Sequence, residues 1–229
     1  IEKTQFAMAQ QDVRYYLNGL LLEIRPGRVR AVATDGHRLA LCDAAFATDT
    51  SVDLQVILPR KAVIELGRLL SDSDNEAQFE ISNSHLRVHL EDSSFTTKLI
   101  DGRFPDYERV MPNGEAFFML SDKDVLKQAL ARTAILSNEK YRGIRFRLSK
   151  GLLHLQAHNP EQDEAEEEIE VDYDGSEMTI GFNVGYLLDV LGVLEGDQVQ
   201  IAVIDSNSSS LVTQKDSAEC RYVVMPMRL

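Results

Sequence analysis

The sequence predicts an α+β protein made of two tandem copies of one domain, each with helices packed on one face of mainly antiparallel sheets. Three observations lead to this prediction: an internal repeat, helical spacing of apolar residues, and strand-like alternation through the rest of each copy. At 229 residues the chain is long enough for two domains of ordinary size. We place these domains at residues 1–108 and 109–229.

The internal repeat has a period of 124 residues, so that Gly19 falls on Gly143. Residues 59–66 (PRKAVIEL) fall on residues 183–190 (NVGYLLDV), and element type and polarity agree although identity is low. A period this long indicates two domains of one fold, not a solenoid. Residue 1 falls on Val125, beyond the cap that opens the matching helix in the second copy. We therefore expect the chain to begin inside a helix and to be the C-terminal part of a longer chain.

Two helices carry the clearest periodicity. The first is expected over about residues 122–136, opened by Ser121 with Asp124 three residues later. The second follows Asn183, a residue typical of helix caps, and its counterpart in the first copy follows Pro59, which suits a first helical turn. Apolar residues spaced three and four apart support the second helix, namely Leu187, Val190, Leu191 and Leu194.

Alternation of apolar and polar residues predicts strands at residues 86–91 and 144–148, each with one polar face. The acidic run at residues 161–170 is interpreted as a charged loop and an edge strand that resists pairing with other chains. Residues 72–76 (DSDNE) resemble the start of a calcium loop but lack its glycine and its final glutamate, so we interpret them as a solvated loop.

Several function classes find no support in the sequence. The histidines form no metal-binding pattern, and there is no nucleophile elbow, phosphate-binding loop or dinucleotide-binding glycine pattern. We therefore predict no catalytic residue, no metal and no cofactor. No apolar run reaches the length of a membrane span and no secretory leader is visible. Cys42 and Cys220 lie far apart and are expected to be buried reduced thiols, which favours a cytoplasmic protein.

The net charge of −13 argues at first against nucleic acid as a partner. Net charge does not describe local fields, however, and a basic lining inside an acidic body is physically allowed. Two segments stand above the background. Residues 34–40 (TDGHRLA) form a tight polar turn, and the tail Met225-Pro226-Met227 fits a strand poorly because proline interrupts the ladder. Two flexible thioethers beside a rigid proline suit an adaptable apolar surface that accepts side chains of another chain.

These segments also carry a resemblance to a known family. The chain resembles, over essentially its whole length, the C-terminal two-thirds of bacterial sliding clamps, the beta subunits of DNA polymerase III. The matching segments are residues 11–19 (QDVRYYLNG), 33–40 (ATDGHRLA), 101–107 (DGRFPDY), 135–140 (ILSNEK), 181–184 (GFNV) and 220–229 (CRYVVMPMRL). Both predicted copies would then be DNA-clamp domains, the middle and the last of three.

The resemblance implies a processivity factor without catalytic activity of its own. In the family, two subunits of three domains form a ring that encircles duplex DNA without reading its sequence. Helix cations would supply the basic lining, and a loop next to them can touch DNA; the matching residues are Gln11, Tyr15, Tyr16, Arg60, Lys61, Arg68, Lys123, Lys127 and Arg132. Without a first domain, this chain is expected to be a monomer.

The resemblance further implies a hydrophobic peptide-binding pocket between the two domains. Polymerases, the clamp loader and repair factors of the family insert a Gln-x-x-Leu-Phe-like peptide there. The matching residues on one side are Leu17, Thr34, Gly36, His37, Arg38, Leu39, Pro105, Arg109 and Val110; those on the other are Asn183, Tyr186, Ser209, Val223, Val224, Met225, Pro226, Met227 and Arg228. The alternative is a hydrolase or small-molecule-binding α+β protein that uses the cleft between the copies, for which the sequence offers no acid–base motif.

Overall fold

The computed structural model describes residues 1–45, 53–71 and 76–228. The chain divides into two compact units, which we call unit 1 (Ile1–Asp106) and unit 2 (Tyr107–Leu229). Residues 72–75 of the calcium-like segment lie outside the described residues. Among the helices of the described residues, none is both long enough and apolar enough to cross a membrane.

The described residues of unit 1 form two antiparallel sheets and one α-helix. The first sheet has the order β4-β1-β2-β3, formed by β1 (Gly19–Arg25), β2 (Arg28–Thr34), β3 (Arg38–Ala45) and β4 (Leu54–Pro59). The second has the order β5-β6-β7, formed by β5 (Gln78–Ile81), β6 (His85–His89) and β7 (Ser94–Lys98). Helix α1 (Arg60–Ser71) packs against β1 and β4. Its buried face consists of Ala62, Val63 and Leu66, which recur at helical spacing.

Unit 2 repeats this plan. One sheet has the order β11-β10-β9-β12, formed by β9 (Gly143–Ser149), β10 (Leu152–His158), β11 (Glu164–Glu170) and β12 (Met178–Asn183). The other joins β8 (Phe117–Asp122), β13 (Gln198–Val203), β14 (Ser210–Gln214) and β15 (Cys220–Val224) through the pairs β8–β13, β13–β14 and β14–β15. The helices are α2 (Lys123–Thr133) and α3 (Val184–Val193).

The predicted repeat and fold class are confirmed. Strands β1 to β4 and helix α1 correspond in order to β9 to β12 and α3, and strands β5 to β7 correspond to β13 to β15. The acidic run also behaves as predicted, because β11 lies at the edge of its sheet with Glu164, Glu166, Glu168 and Glu170 exposed. The expectation of a helix at the start of the chain is wrong: residues 1–4 form a turn, followed by a 3-10 helix at Gln5–Ala7.

The cap of α2 differs from the prediction. Asp122, not Ser121, is the capping residue, since its carboxylate accepts from the Val125 N–H at 2.9 Å. Ser121 is instead buried in β8, and its hydroxyl donates to the Asp122 carbonyl. The helix also ends at Thr133, and the next turn narrows to a 3-10 helix. Asn183 caps α3 as predicted, because its side chain accepts from the Gly185 N–H at 2.9 Å.

A row of polar side chains crosses the first sheet of unit 1. The strand registers place Gln55 beside Glu23, Glu23 beside Arg30, and Arg30 beside Asp43. Glu23 is 2% exposed and Arg30 is 6% exposed. Arg30 donates to both carboxylate oxygens of Asp43, at 2.6 and 2.9 Å, and Gln55 donates to Glu23 at 2.6 Å. Burial of these charges is tolerated because each has a partner in the row.

The two cysteines do not match the expectation. Cys42 on β3 and Cys220 on β15 are each half-buried, and neither is a free thiol. The prediction of buried reduced cysteines is therefore wrong.

Two glycines offer opposite stability predictions. A Cβ at Gly192, near the end of α3, would meet nothing within 4 Å, whereas a Cβ at Gly19 would lie 2.5 Å from the Leu58 carbonyl oxygen. We expect Gly192→Ala to raise the free energy of unfolding by about 0.5–1 kcal/mol, because alanine restricts the unfolded chain and favours the helix. Gly19→Ala should lower it by about 1–3 kcal/mol through overpacking. Urea unfolding monitored by circular dichroism measures both, and equal effects of the two changes would contradict this reading.

Candidate functional site

The turn at residues 34–38, which joins β2 to β3 in unit 1, is held by its own polar groups. The Thr34 hydroxyl donates to the Arg38 carbonyl at 2.6 Å and accepts from the Gly36 N–H at 3.1 Å. One carboxylate oxygen of Asp35 accepts from the N–H groups of His37 and Arg38, at 2.9 and 3.0 Å. Gly36 has a φ of +91°, a conformation that suits glycine. The turn thus presents an exposed His37 on a fixed backbone.

Arg38, predicted to contact a peptide, stabilises the turn through hydrogen bonds of its guanidinium. Its Nε donates to the second oxygen of Asp35 at 3.0 Å, and its Nη2 donates to the Phe6 carbonyl at 2.8 Å. The guanidinium also lies 5.3 Å from the centre of the Phe6 ring. Only 13% of the side chain is exposed. These bonds join Arg38 to two other parts of unit 1.

The loop that precedes β1 carries the predicted DNA-contacting residues and closes on itself. Asp12 and Asn18 exchange two hydrogen bonds, from the Asp12 N–H to the Asn18 side chain at 2.9 Å and back to the Asp12 carbonyl at 2.8 Å. Gln11 has a φ of +56°, and the side chain of Val13 is 96% exposed. The closed loop thus exposes the side chain at its tip to solvent.

Tyr15 and Tyr16 form an aromatic surface at the end of this loop. Their rings lie 5.7 Å apart in an edge-to-face arrangement, and Tyr15 is 56% exposed. A Cβ at Gly102 would come within 3.4 Å of the Tyr15 ring, so the two segments lie close together. Exposed aromatic rings are the groups on which unpaired bases stack. The structure thus leaves an aromatic ring of this kind open to solvent at Tyr15.

Asp12 and Arg14 form a fork that sequence reasoning did not assign. Arg14 donates to both carboxylate oxygens of Asp12, from Nε at 3.0 Å and from Nη2 at 2.8 Å. The backbone N–H of Arg14 donates to the same carboxylate at 2.8 Å. These bonds, with that of the Arg14 side chain the largest cause, lower the pKa of Asp12 from 3.8 to about 2. The available signal was the acid–x–arginine spacing inside residues 11–19.

This pKa predicts a local pH dependence. Because the pKa is lower in the folded protein, the stabilisation by Asp12 is complete above about pH 4 and is lost as the pH falls through about 2. Arg14→Gln should move the pKa of Asp12 up towards its ordinary range, measured by NMR titration of the carboxyl carbon. Asp205 is the internal control, because bonds from Asn207 and Ser208 lower its pKa. An Asp12 carboxyl that still titrates near pH 2 in the variant would rule out Arg14 as the cause.

The predicted DNA-facing cations of unit 1 differ in availability. Arg60 begins α1 and donates to the Met8 carbonyl at 3.2 Å, which ties the helix to the segment before the loop. Lys61 is exposed on the same helix. Arg68 is paired with Glu65 one turn earlier, at 2.7 Å. A pair of this kind offsets part of the positive charge of the helix at Arg68.

The cations of unit 2 lie on α2. Lys123 donates to the Leu194 carbonyl at 3.2 Å, and Lys127 is half-buried one turn further along. Arg132, in the last turn, donates to Glu167 of β11. This ion pair raises the pKa of the Arg132 guanidinium above its ordinary value. The helix thus combines structural and solvent-facing cations.

The tail of unit 2 leaves the sheet directly after β15. Val223 and Val224 are fully buried, whereas Met225 is 41% exposed. Residues 225–228 are not part of a strand, as predicted from the proline. The Met227 N–H nevertheless donates to the Gly181 carbonyl at 2.8 Å, so the tail is attached to β12 of the other sheet in unit 2. A single described backbone bond therefore fixes a segment with exposed side chains.

The remaining predicted peptide-binding residues fall into three groups: buried residues, residues at the start of α3, and exposed or partly exposed positions. Leu17 and Leu39 are both buried in unit 1. Asn183 and Tyr186 lie at the start of α3, where the Asn183 side chain also donates to the Tyr141 carbonyl at 3.3 Å. Exposed or partly exposed positions complete the set, namely Pro105, Arg109, Val110 and Ser209, with a bond from the Ser209 hydroxyl to the Val110 carbonyl at 3.2 Å.

Within residues 1–45, 53–71 and 76–228, no three side chains of His, Cys, Asp or Glu are grouped so as to hold a metal ion. The surfaces described above are an aromatic loop that carries Arg14 in unit 1, and a tail with exposed apolar side chains in unit 2.

Comparison with known proteins defines the class to which this architecture belongs. Residues 1–106 match the model of the central domain of the DNA polymerase III beta subunit, and residues 108–228 match that of its C-terminal domain. These matches cover nearly the whole chain. The chain therefore belongs to the DNA polymerase III beta subunit family.

Individual relatives carry the name beta sliding clamp. The chain is 56% identical to the beta sliding clamp of Pseudomonas aeruginosa and 52% identical to that of Escherichia coli K12, in each case over 229 residues that make up 62% of the relative. A crystal structure of the Pseudomonas aeruginosa clamp bound to griselimycin has a TM-score of 0.97. Caulobacter crescentus pol III beta, at 39% identity, has a TM-score of 0.94 and is covered over 63% of its chain. The chain thus spans less than two-thirds of the proteins that it matches.

Proposed function

We propose that this chain is the part of a DNA sliding clamp that holds polymerase, clamp loader and repair proteins on duplex DNA. The observation that carries the proposal is the match of both units, in order, to the central and C-terminal domains of one family. In the complete protein the two units belong to a dimeric ring around DNA. The chain itself is an accessory protein without catalytic activity, and it acts in the cytoplasm.

Short peptides of the Gln-x-x-Leu-Phe type are the proposed protein ligands. In unit 2, Met225 and Pro226 provide adaptable apolar contacts, and Asn183 provides polar groups that can orient a peptide. In unit 1, the turn offers Gly36 and His37 on a backbone that Asp35 holds fixed. The Pseudomonas aeruginosa clamp solved with griselimycin supports the proposal that a protein of this family holds a ligand. The other residues that match the peptide pocket of the family are proposed to contact the peptide as well.

Duplex DNA is the proposed nucleic-acid ligand, without preference for sequence. Lys61, Lys123 and Lys127 meet phosphates, which carry no sequence information. Gln11, Tyr15 and Tyr16 contact the strand that leaves the duplex, since exposed tyrosines stack on unpaired bases. A small number of cations on an acidic body gives weak, salt-sensitive contact. Weak contact suits a protein that must move along DNA.

Fluorescence polarisation tests the peptide part of this function directly. A labelled Gln-x-x-Leu-Phe peptide is titrated with the chain, beside a peptide in which the Leu and Phe are replaced by Ala. Burying two large apolar side chains contributes about 1.5–3 kcal/mol each before ordering costs, so we expect saturable binding in the micromolar range. Binding of both peptides with equal affinity, or of neither by a folded sample, would refute the proposal.

A further inference from the structure

Arg14 lies between two surfaces to which the proposed function assigns different ligands. On one side is the loop with Gln11, Tyr15 and Tyr16, and on the other is the turn that presents His37. We propose that Arg14 is a positioning residue that couples the two surfaces, so that DNA bound at the loop weakens peptide binding at the turn. The inference rests on the proposed function, because it needs both ligands.

On the loop side, Arg14 is held in a defined orientation. Its fork onto Asp12 uses two donors of the guanidinium, and Asp12 is itself fixed through its backbone to Asn18. The Leu17 N–H donates to the Arg14 carbonyl at 2.8 Å, which keeps the backbone of Arg14 inside the same closed loop. A displacement of the loop therefore displaces the guanidinium.

On the turn side, the same guanidinium reaches a carbonyl that is distant in sequence. Arg14 Nη2 donates to the Asp35 carbonyl at 3.3 Å. A Cβ at Gly36 would lie only 3.1 Å from Nη2 and 3.2 Å from Nη1, so the guanidinium lies against the bare glycine. Asp35 in turn holds the N–H of His37. The contact thus connects Arg14 to the residue proposed to meet the peptide through one intermediate residue.

The guanidinium has two alternative anionic partners when DNA is present. Arg14 is 47% exposed at the base of the loop, and a phosphate accepts the same two-donor fork as a carboxylate. A phosphate that takes Arg14 from Asp12 also takes it from the Asp35 carbonyl. The turn then loses one of its fixing bonds, and the His37 backbone becomes less ordered. This gives the sign of the coupling: bound DNA lowers the affinity for peptide.

The expected size of the coupling follows from the exposure of the Arg14 guanidinium, whose bond to the Asp35 carbonyl is open to solvent. Exposed ion pairs contribute at most about 1 kcal/mol, which corresponds to a change of about 2–5-fold in Kd. Linkage makes the effect reciprocal, so bound peptide weakens DNA binding by the same factor. The consequence for a clamp is that a partner held by peptide alone is released more readily where unpaired DNA occupies the loop.

The test is a peptide titration by fluorescence polarisation in the absence and presence of a short primed duplex with a single-stranded overhang. For the unmodified chain, Kd should rise about 2–5-fold at saturating DNA. In Arg14→Gln, Kd without DNA should already be raised and DNA should change it no further. Arg87→Gln is the matched control. Arg87 is an exposed arginine of β6, in the β5-β6-β7 sheet of unit 1, where it donates to Thr96 of β7. It should respond to DNA as the unmodified chain does.

Amide hydrogen exchange gives a second readout that does not depend on the labelled peptide. Exchange at Gly36 and His37 should become faster with DNA in the unmodified chain, and should be fast without DNA in Arg14→Gln. If peptide and DNA both bind and the Kd for peptide does not change, or if Arg14→Gln still responds to DNA, the coupling is refuted and the proposed function stands. If the unmodified chain binds no peptide or no DNA, the proposed function fails and the coupling fails with it.

Discussion

A His37→Ala, Met225→Ala double variant is expected to bind the Gln-x-x-Leu-Phe peptide at least about 30-fold more weakly than the unmodified chain. Loss of a central contact residue typically costs about 2 kcal/mol or more, which corresponds to that factor. His37 is exposed on a turn that Asp35 holds fixed, and Met225 is 41% exposed beside the buried Val224. Neither side chain supports the core, so the loss should appear in binding and not in folding.

The matched control is His85→Ala, Met178→Ala, which removes the same two side-chain types elsewhere. His85 is exposed on β6, and Met178 is half-buried at the start of β12. This variant should bind peptide within about 2-fold of the unmodified chain, since surface changes away from a site have small effects. Deletion of residues 225–229 should abolish binding while the circular dichroism spectrum is retained. Equal binding by both double variants would mean that the peptide contacts lie elsewhere on the molecule.

Replacing Arg30 with alanine is expected to have the largest effect on stability. The change leaves Glu23, which is 2% exposed, and Asp43 without the guanidinium that lies between them in the sheet. Removing one partner from a buried ion pair costs about 3–5 kcal/mol, because the remaining charge stays buried without compensation. Urea unfolding should therefore show a transition of unit 1 at lower denaturant concentration.

Arg28→Ala controls for the charge alone. Arg28 lies on the same strand and is 3.8 Å from the same Asp43 carboxylate, but its side chain is 33% exposed. Solvent screens such a pair, so the loss should be at most about 1 kcal/mol. The difference between the two variants isolates the effect of burial. A loss in Arg30→Ala no greater than that in Arg28→Ala would mean that water or a rearranged side chain compensates the charges.

Features that depend on local sequence were predictable. The alternation in β6 and β9, the edge position of β11 and the cap by Asn183 each follow from residues close together in the chain, and the repeat follows from such local patterns recurring 124 residues later. The cap of α2 was misassigned because Ser121 and Asp122 are both good capping residues. Only the burial of Ser121 in β8 distinguishes them, and burial depends on the sheet.

Features that depend on register were not predictable. Glu23 and Arg30 occupy strand positions that an alternating pattern assigns to a solvated face, and their burial follows from neighbours that the strand registers supply. The contact between Arg14 and the Asp35 carbonyl joins residues that are 21 positions apart, so no motif contains both. Resemblance to a family supplied candidate site residues, but it did not supply the bonds that hold them.

The attachment of the tail has a consequence for how the sequence of this chain can vary. The bond from Met227 to Gly181 joins two backbone groups, so it does not depend on the side chain at either position. Any amino acid except proline at position 227 retains the donor. Substitutions here can therefore alter the chemical character of the tail without removing the bond that attaches it to β12. The attachment of the tail and the chemistry of its side chains can therefore change independently of each other.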